Sequence, residues 1–348
     1  MTNRSATDGL YFGPNNMTKD KILAMMYGCA IGDALGFPVE GFSAARIAQQ
    51  HPGGVRGYEA PRGHRHFNGL PAGTVTDDTQ FAMVVMDALV DGPDMDRQAK
   101  FHVESFAKSK LGAGGTTREA LRLLANGVSW RDSGQRANGL GYGNGVVMKL
   151  PGLAADTSVT NQFVTDLAVM THATRTAAWS AVAHTWVLRI LLEMTPDETL
   201  YFPNLMTQFY AAHMWSNMPD NGHSFFDVEA LDGSLDQVWM KRVKAMEDLA
   251  WNHRWADVWR EFENGNARVY NSLPFTYAFF AKQPDVEGLL ACVNAGGDTD
   301  TNGSIFASML GAWRGMRVWE ERPDLLQLPV LKDIGVLVDR FCTARGIR

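Results

Sequence analysis

Gly28-Cys-Ala-Ile-Gly-Asp-Ala-Leu-Gly36 is the stretch that decides how this chain folds. Its glycines stand four apart, so in a helix they share one face. The apolar residues before it, Ile22, Leu23, Met26, Ala30 and Ile31, fall at helical spacing behind the opening Thr18-Lys-Asp-Lys. One long helix is therefore predicted, with a bare glycine face. Such a face admits close packing of a second helix or close approach of a ligand, and packing is the commoner use. Asp33 lies inside the apolar run, where an unpaired carboxylate is costly. Glu40 closes the run after Pro38. Taken alone, either acid is more often a structural residue than a functional one.

Two acidic segments lie further along. In Gly73-Thr-Val-Thr-Asp-Asp-Thr-Gln80, Asp77 and Asp78 sit between the hydroxyls of Thr76 and Thr79. The apolar run Phe81 to Leu89 follows at helical spacing, so the acids stand where a loop becomes a helix. Asp77 with Gln80 fits a capping box, which is the plain structural reading. A second segment, Gly296-Gly-Asp-Thr-Asp-Thr-Asn-Gly303, repeats the pattern ahead of the apolar run Ile305 to Trp313. Asp298 and Asp300, two apart, do not share a helix face and converge only on a loop or a helix start. Two loops rich in carboxylates and threonine hydroxyls offer what a hard cation takes, several charged oxygens with room for water. Four aspartates suit two cations about 4 Å apart better than one.

The remaining chain reads as helices and loops. Helices are predicted over 76–91, 95–108, Thr116–Leu124, Thr157–Met170, 174–193, Leu273–Phe280, Pro284–Val293 and Leu331–Phe341. Two more are marked by Leu235, Trp239, Met246 and Leu249, and by Trp255, Val258, Trp259 and Phe262. Residues 51–75, 127–145 and 214–234 read as loops. His64 and His66 could ligate a metal at alternate positions, although a solvated loop is the commoner setting for them. Gly139-Leu-Gly-Tyr-Gly-Asn-Gly145 lets backbone N–H groups approach an anion, yet lacks the Lys-Ser or Lys-Thr of a Walker loop. His172 stands at a helix start, where it could meet a phosphate or simply pack. No run of strands, repeat or low-complexity tract is found. The expected fold is all-α, a loose tail over residues 1–17 followed by a single domain over 18–348.

The composition is that of a soluble globule. The chain has 348 residues, 45% of them apolar and 20% charged, with a net charge of −6. That balance leaves no basic footprint for nucleic acid. The three cysteines, Cys29, Cys292 and Cys342, are isolated and follow no metal-binding spacing, which fits a reducing compartment. The first sixteen residues lack the apolar core of a signal peptide, and no apolar run is read as a membrane span. A cytoplasmic protein, independent of membranes and nucleic acid, is expected.

The ordered set Gly28-x-x-x-Gly-Asp-Ala-Leu-Gly-x-x-x-Glu40, Thr76-Asp-Asp-Thr79, Gly143-Asn-Gly145, Thr171-His172 and Gly296-Gly-Asp-Thr-Asp-Thr301 resembles the ADP-ribosylglycohydrolase family. The set covers roughly residues 20–315. The resemblance implies a compact multi-helix bundle with a binuclear Mg²⁺ or Mn²⁺ centre in a cleft. It assigns Thr76, Asp77, Asp78, Asp298, Asp300 and Thr301 as metal ligands, and gives Glu40, Asp77 and Asp300 catalytic parts. Asp33, Gly141, Tyr142, Gly143, Asn144 and His172 would bind or support ADP-ribose. The implied substrate is an ADP-ribosylated protein or another ADP-ribose adduct, with arginine favoured as the modified residue and serine or a small molecule as alternatives. A monomer is expected. One departure is Lys149, where the family often has arginine. Lysine keeps the charge and loses the bidentate fork. Two other readings of the residues are a two-metal nucleotide phosphoesterase and a non-catalytic binding protein.

Overall fold

The computed structural model describes residues 16–64, 67–137, 141–195, 252, 254–262 and 264–348. The loop predicted over 214–234, the helix of Leu235, Trp239, Met246 and Leu249, and His66 lie outside the described residues. So do the side chains of Trp255, Val258 and Trp259 and the tail up to residue 15.

The described chain is helical. Its first half comprises α1 (Lys19–Gly36), α2 (Ala44–Gln50), α3 (Asp77–Leu89), α4 (Met95–Lys108), α5 (Gly115–Ala125), α6 (Trp130–Arg136), α7 (Pro151–Ala154), α8 (Asn161–Val169) and α9 (Arg175–Glu193). The second comprises α10 (Trp255–Glu261), α11 (Val269–Lys282), α12 (Val286–Asn294), α13 (Thr299–Arg314), α14 (Arg317–Glu320) and α15 (Val330–Arg345). Among the described residues the extended pairing is limited to isolated bridges, Ser43 with Gly296 and Gly143 with Arg268. The all-α expectation holds.

Capping oxygens set most helix starts. Thr18, Thr160, Thr174 and Asp285 each accept a first-turn N–H through the side chain. Several boundaries differ from the sequence reading for this reason. Thr160 starts α8 three residues later than predicted, and Ser129 opens α6 inside a stretch read as loop. The cap of α3 is Thr76, not Asp77, so both carboxylates enter the first turn. Asn16, read as tail, is tied down, its backbone N–H and side-chain amide both bonding to Glu193 at 2.9 Å.

At the centre α1 and α13 run antiparallel with their backbones in contact. A Cβ added at Gly28, Gly32 or Gly36 would lie 2.2, 2.0 or 2.1 Å from the carbonyl oxygens of Ala307, Gly303 and Thr299. Gly303 and Gly311 answer from the other helix, against the carbonyls of Gly32 and Ala24. Thr299 Oγ1 donates to the Gly36 carbonyl at 2.7 Å and pins the end of one helix to the start of the other. Helix packing is therefore what the bare face serves. One expectation needs correction. Lys19–Val39 does reach membrane-span length and apolarity, with mean hydropathy 1.5 over its best 18 residues, but 89% of that window is buried inside the protein. It is the central helix of a core that also takes in apolar residues of α3, α9, α11, α13 and α15. Lys21, buried among them, caps the end of α9 by donating its ammonium to the carbonyls of Leu192, at 2.9 Å, and Met194.

This contact generates a stability prediction. Gly32→Ala would drive a methyl into the Gly303 backbone, which cannot rotate away, so the helices must part. The expected loss is about 3 kcal/mol or failure to fold, read as the thermal midpoint. An unchanged midpoint would mean that the helices do not meet as described.

Candidate active site

Three chain segments bring the acids together. The first is the turn after α1, where Glu40 follows the short 3₁₀ segment Phe37–Val39. The second is the start of α3 and the third is the start of α13, where Asp298 is the cap and Asp300 lies in the first turn. Backbone bonds stitch the first segment to the third: Gly41 N–H donates to Gly297 at 2.8 Å, and Gly297 N–H to Phe42 at 3.0 Å. Gly296 and Gly297 adopt φ +84° and +87°, and a Cβ on either would strike the Phe42 or Asn264 carbonyl. Only glycine permits that turn.

Asp33 anchors the second segment to α1. Its carboxylate accepts from Thr76 N–H at 2.8 Å, Thr76 Oγ1 at 3.0 Å, Thr79 N–H at 3.2 Å and Thr79 Oγ1 at 2.5 Å. Fully buried, Asp33 reaches no solvent. It lies beneath the site and holds it, rather than among the groups that line the cleft.

The cleft has a volume of about 250 Å³. Of the residues named from the sequence, Glu40, Asp77, Asp78, Gly143, Asn144, His172, Asp298, Asp300 and Thr301 line it. Carboxylate oxygens of Glu40, Asp298 and Asp300 lie within 4.8 Å of one another, a group able to hold a metal ion. Thr76 is fully buried with its hydroxyl turned to Asp33 and Asp78, and does not line the cleft. Gly141 and Tyr142 also lie behind the lining. The Gly141 carbonyl accepts from Thr174 Oγ1 at 2.7 Å, and Tyr142 packs edge-on against Tyr270. Lys149 is buried, 3.5 Å from Thr171 Oγ1, and is not among the residues that line the cleft. His64, read as a solvated loop residue, is buried instead.

The site also uses residues that the sequence reading passed over. Gly112, Gly114, Gly115, Thr116 and Thr117 also line the cleft. The helix predicted from Thr116 begins at Gly115. The cap is Gly114, which offers no side-chain acceptor, so the first N–H groups of the helix stay available. A Cβ at Gly112, at φ +81°, would lie 2.3 Å from Asp77 Oδ1. The signal in the sequence was a helix opening on two glycines with no capping oxygen.

Among the described residues none of Glu40, Asp77, Asp78, Asp298 and Asp300 has a Lys, Arg or His within ion-pair distance. Glu40 Oε2 and Asp78 Oδ1 are buried without a hydrogen-bond partner. Burial, then the neighbouring negative charges of Asp298 and Asp33, push the Glu40 carboxyl up to about 8. Burial raises Asp77, Asp78 and Asp300 as well, with the adjacent carboxylates adding to it. Orphaned hard oxygens crowded in this way fit a divalent cation. His172 is held neutral, its ring pushed down to about 3 by burial and then by the Lys149 charge. It packs under Gly143, where a Cβ would lie 2.9 Å from Nε2.

The chain is similar to known proteins over most of its length. The profile of a family described as ADP-ribosylglycohydrolase matches residues 14–345. An uncharacterized protein of Archaeoglobus fulgidus is 27% identical over 308 residues, covering 84% of this chain and 88% of its own. ADP-ribosylhydrolase ARH3 of Gallus gallus is 25% identical over 334 residues, covering 86% and 88%. A solved structure described as an ADP-ribosylglycohydrolase-related protein complex aligns with a TM-score of 0.68 at 25% identity, over 94% of this chain and 98% of that one.

The charge arrangement predicts a pH and metal response. Glu40 and Asp33 have folded-state values raised above 4.5 and 3.8, to about 8 and about 6. A raised carboxyl favours the fold while protonated, so this contribution is present below about pH 4 and is lost as pH climbs through 6 and 8. The thermal midpoint of chelated protein should therefore fall from pH 5 to pH 8.5. Added Mg²⁺ or Mn²⁺ should raise it at the upper end, the gain in unfolding free energy being about 2.7 kcal/mol at a hundredfold excess over Kd. A cation effect independent of pH, or none, would refute the site.

Proposed function

The chain belongs to the ADP-ribosylglycohydrolase family, and from that premise we propose that it cleaves the glycosidic bond between ADP-ribose and a modified protein side chain, arginine in preference, releasing ADP-ribose. The family's activity is hydrolysis of ADP-ribose linkages. The finer reading adds the acceptor, two divalent cations, Mg²⁺ before Mn²⁺, and a monomer working in the cytoplasm. The observation that carries it is the convergence of Glu40, Asp298 and Asp300 within 4.8 Å in a cleft that Asp77, Asp78 and five glycines also line.

The chain's own groups divide the work. Asp77, Asp78, Asp298, Asp300 and Thr301 present the oxygens that would hold the cations, with Asp33 fixing the first loop and Asn144 the second. Asn144 does so by donating its amide to Asp298 and to Ser272 Oγ. Bound there, divalent cations would screen the substrate's charge, order vicinal ribose hydroxyls and acidify water. Gly114 and Gly115 at the uncapped start of α5 line the same cleft as Gly143 and Gly145, and such a glycine lining suits a diphosphate, which a chain of net charge −6 must receive through dipoles or cations. The surrounding carboxylates stabilise the oxocarbenium character that develops as the bond breaks. Glu40 holds a proton near neutral pH on a side chain with an unpartnered oxygen. It can deliver that proton to the leaving group or, ionised, take one from attacking water. A departing guanidine is basic and needs less of this help than a serine oxygen.

The deciding experiment measures free ADP-ribose released from arginine-modified and serine-modified proteins, with Mg²⁺ and with chelator. Metal-dependent release from the arginine substrate is expected. Release from serine alone would move the acceptor, and release from neither would overturn the reading. Glu40→Gln should lower kcat about 10²–10⁴-fold while ADP-ribose still binds, measured by calorimetry beside turnover. Lost binding would make Glu40 structural.

A further inference from the structure

We propose that His64 is a positioning residue for Glu40, holding it through a hydrogen bond to its backbone carbonyl. His64 Nε2 lies 3.2 Å from the Glu40 carbonyl oxygen. A carbonyl can only accept, so Nε2 carries the hydrogen and donates. The ring is fixed on its other sides. It stacks on Phe42 at 5.9 Å and 21°, lies 4.6 Å from Phe67, and tilts against Phe37 at 6.4 Å. His64 N–H donates to Asn68 Oδ1 at 3.0 Å. A second tie runs alongside: Arg46 donates to the Gly63 carbonyl at 2.8 Å while its guanidinium covers the Phe42 ring at 3.5 Å. Histidine and arginine from two segments therefore clasp the turn that carries Glu40.

The turn needs such a clasp. Glu40 follows a single 3₁₀ turn, with its N–H bonded to Phe37 at 3.3 Å, and Gly41 beyond it adopts φ +73°. The partly buried Glu40 side chain has an unpartnered oxygen, so no side-chain bond at that atom fixes its direction. With Gly41 and Phe42 stitched to Gly297 on one side, the carbonyl bond to His64 is what fixes the peptide plane on the other. Rotating that plane would swing the Glu40 carboxyl relative to Asp298 and Asp300. A misplacement on the order of 1 Å at such a group costs turnover far more than binding.

The inference rests on Glu40 acting in proton transfer, and its test separates the two. His64→Phe keeps the ring and removes the donor. His64→Gln keeps an N–H donor near the position of Nε2 and removes the ring. Amide exchange of the Phe37–Ala44 segment, read by mass spectrometry, should rise about tenfold in His64→Phe, the loss expected for one hydrogen bond. Its kcat should fall by a similar factor with KM unchanged, and His64→Gln should recover most of both. Should His64→Phe fail to fold, His64→Leu carries the same expectations. Wild-type exchange and kcat in the donor-less variant would overturn the proposal, as would a His64→Gln variant no better than His64→Phe, which would leave ring packing as the cause. If the wild type releases no ADP-ribose, the functional reading falls while the exchange result still decides whether His64 holds the turn.

Discussion

The structure depends on one backbone contact. Between α1 and α13 no side chain intervenes at three successive turns, because Gly28, Gly32 and Gly36 face the Ala307, Gly303 and Thr299 carbonyls at distances a methyl group could not share. The antiparallel sense of that contact sets the end of one helix beside the start of the other. Glu40 leaves the first just as Asp298 and Asp300 enter the second. Asp33, one residue past the middle glycine, turns away from α13 and captures the start of α3 through four hydrogen bonds. A packing motif and an acidic centre are thus consequences of the same stretch of chain.

Gathering so many carboxylates costs free energy that hydrogen bonding offsets only in part. Burial and mutual repulsion raise their proton affinities, and two oxygens stay buried without partners. The protein tolerates this because the site stands on rigid, well-packed helix starts. Lys149 is pushed down to about 7 by burial, with the Asp77 charge acting in the opposite direction. Its contact is Thr171, and the charge it places near His172 helps to keep that ring neutral. The lysine is thus buried and stands outside the lining of the cleft.

The lining of the cleft is of two kinds. Part of it is anionic and built from side chains, and part is glycine, at 112, 114, 115, 143 and 145. The neutral His172 packs against Gly143.

Sequence alone was enough for the helical class, the close-packing glycine face and both acidic loops, because each is a local statement: a period, a spacing, a residue type at a helix start. It also sufficed for the convergence of Asp298 and Asp300, since residues two apart can meet only where the helix begins. The tertiary structure decided what depends on distant partners. That Asp33 supports the site was legible, but which groups it holds was not, because its partners lie more than forty residues away. Thr76 displaced Asp77 as the cap, and Gly114 caps the helix predicted from Thr116, for capping turns on backbone angles that similar side chains do not distinguish. His64 carried no local sign that its ring would close on the Glu40 carbonyl. Lys19–Val39 is apolar enough for a membrane, and only the helices packed around it make it a core.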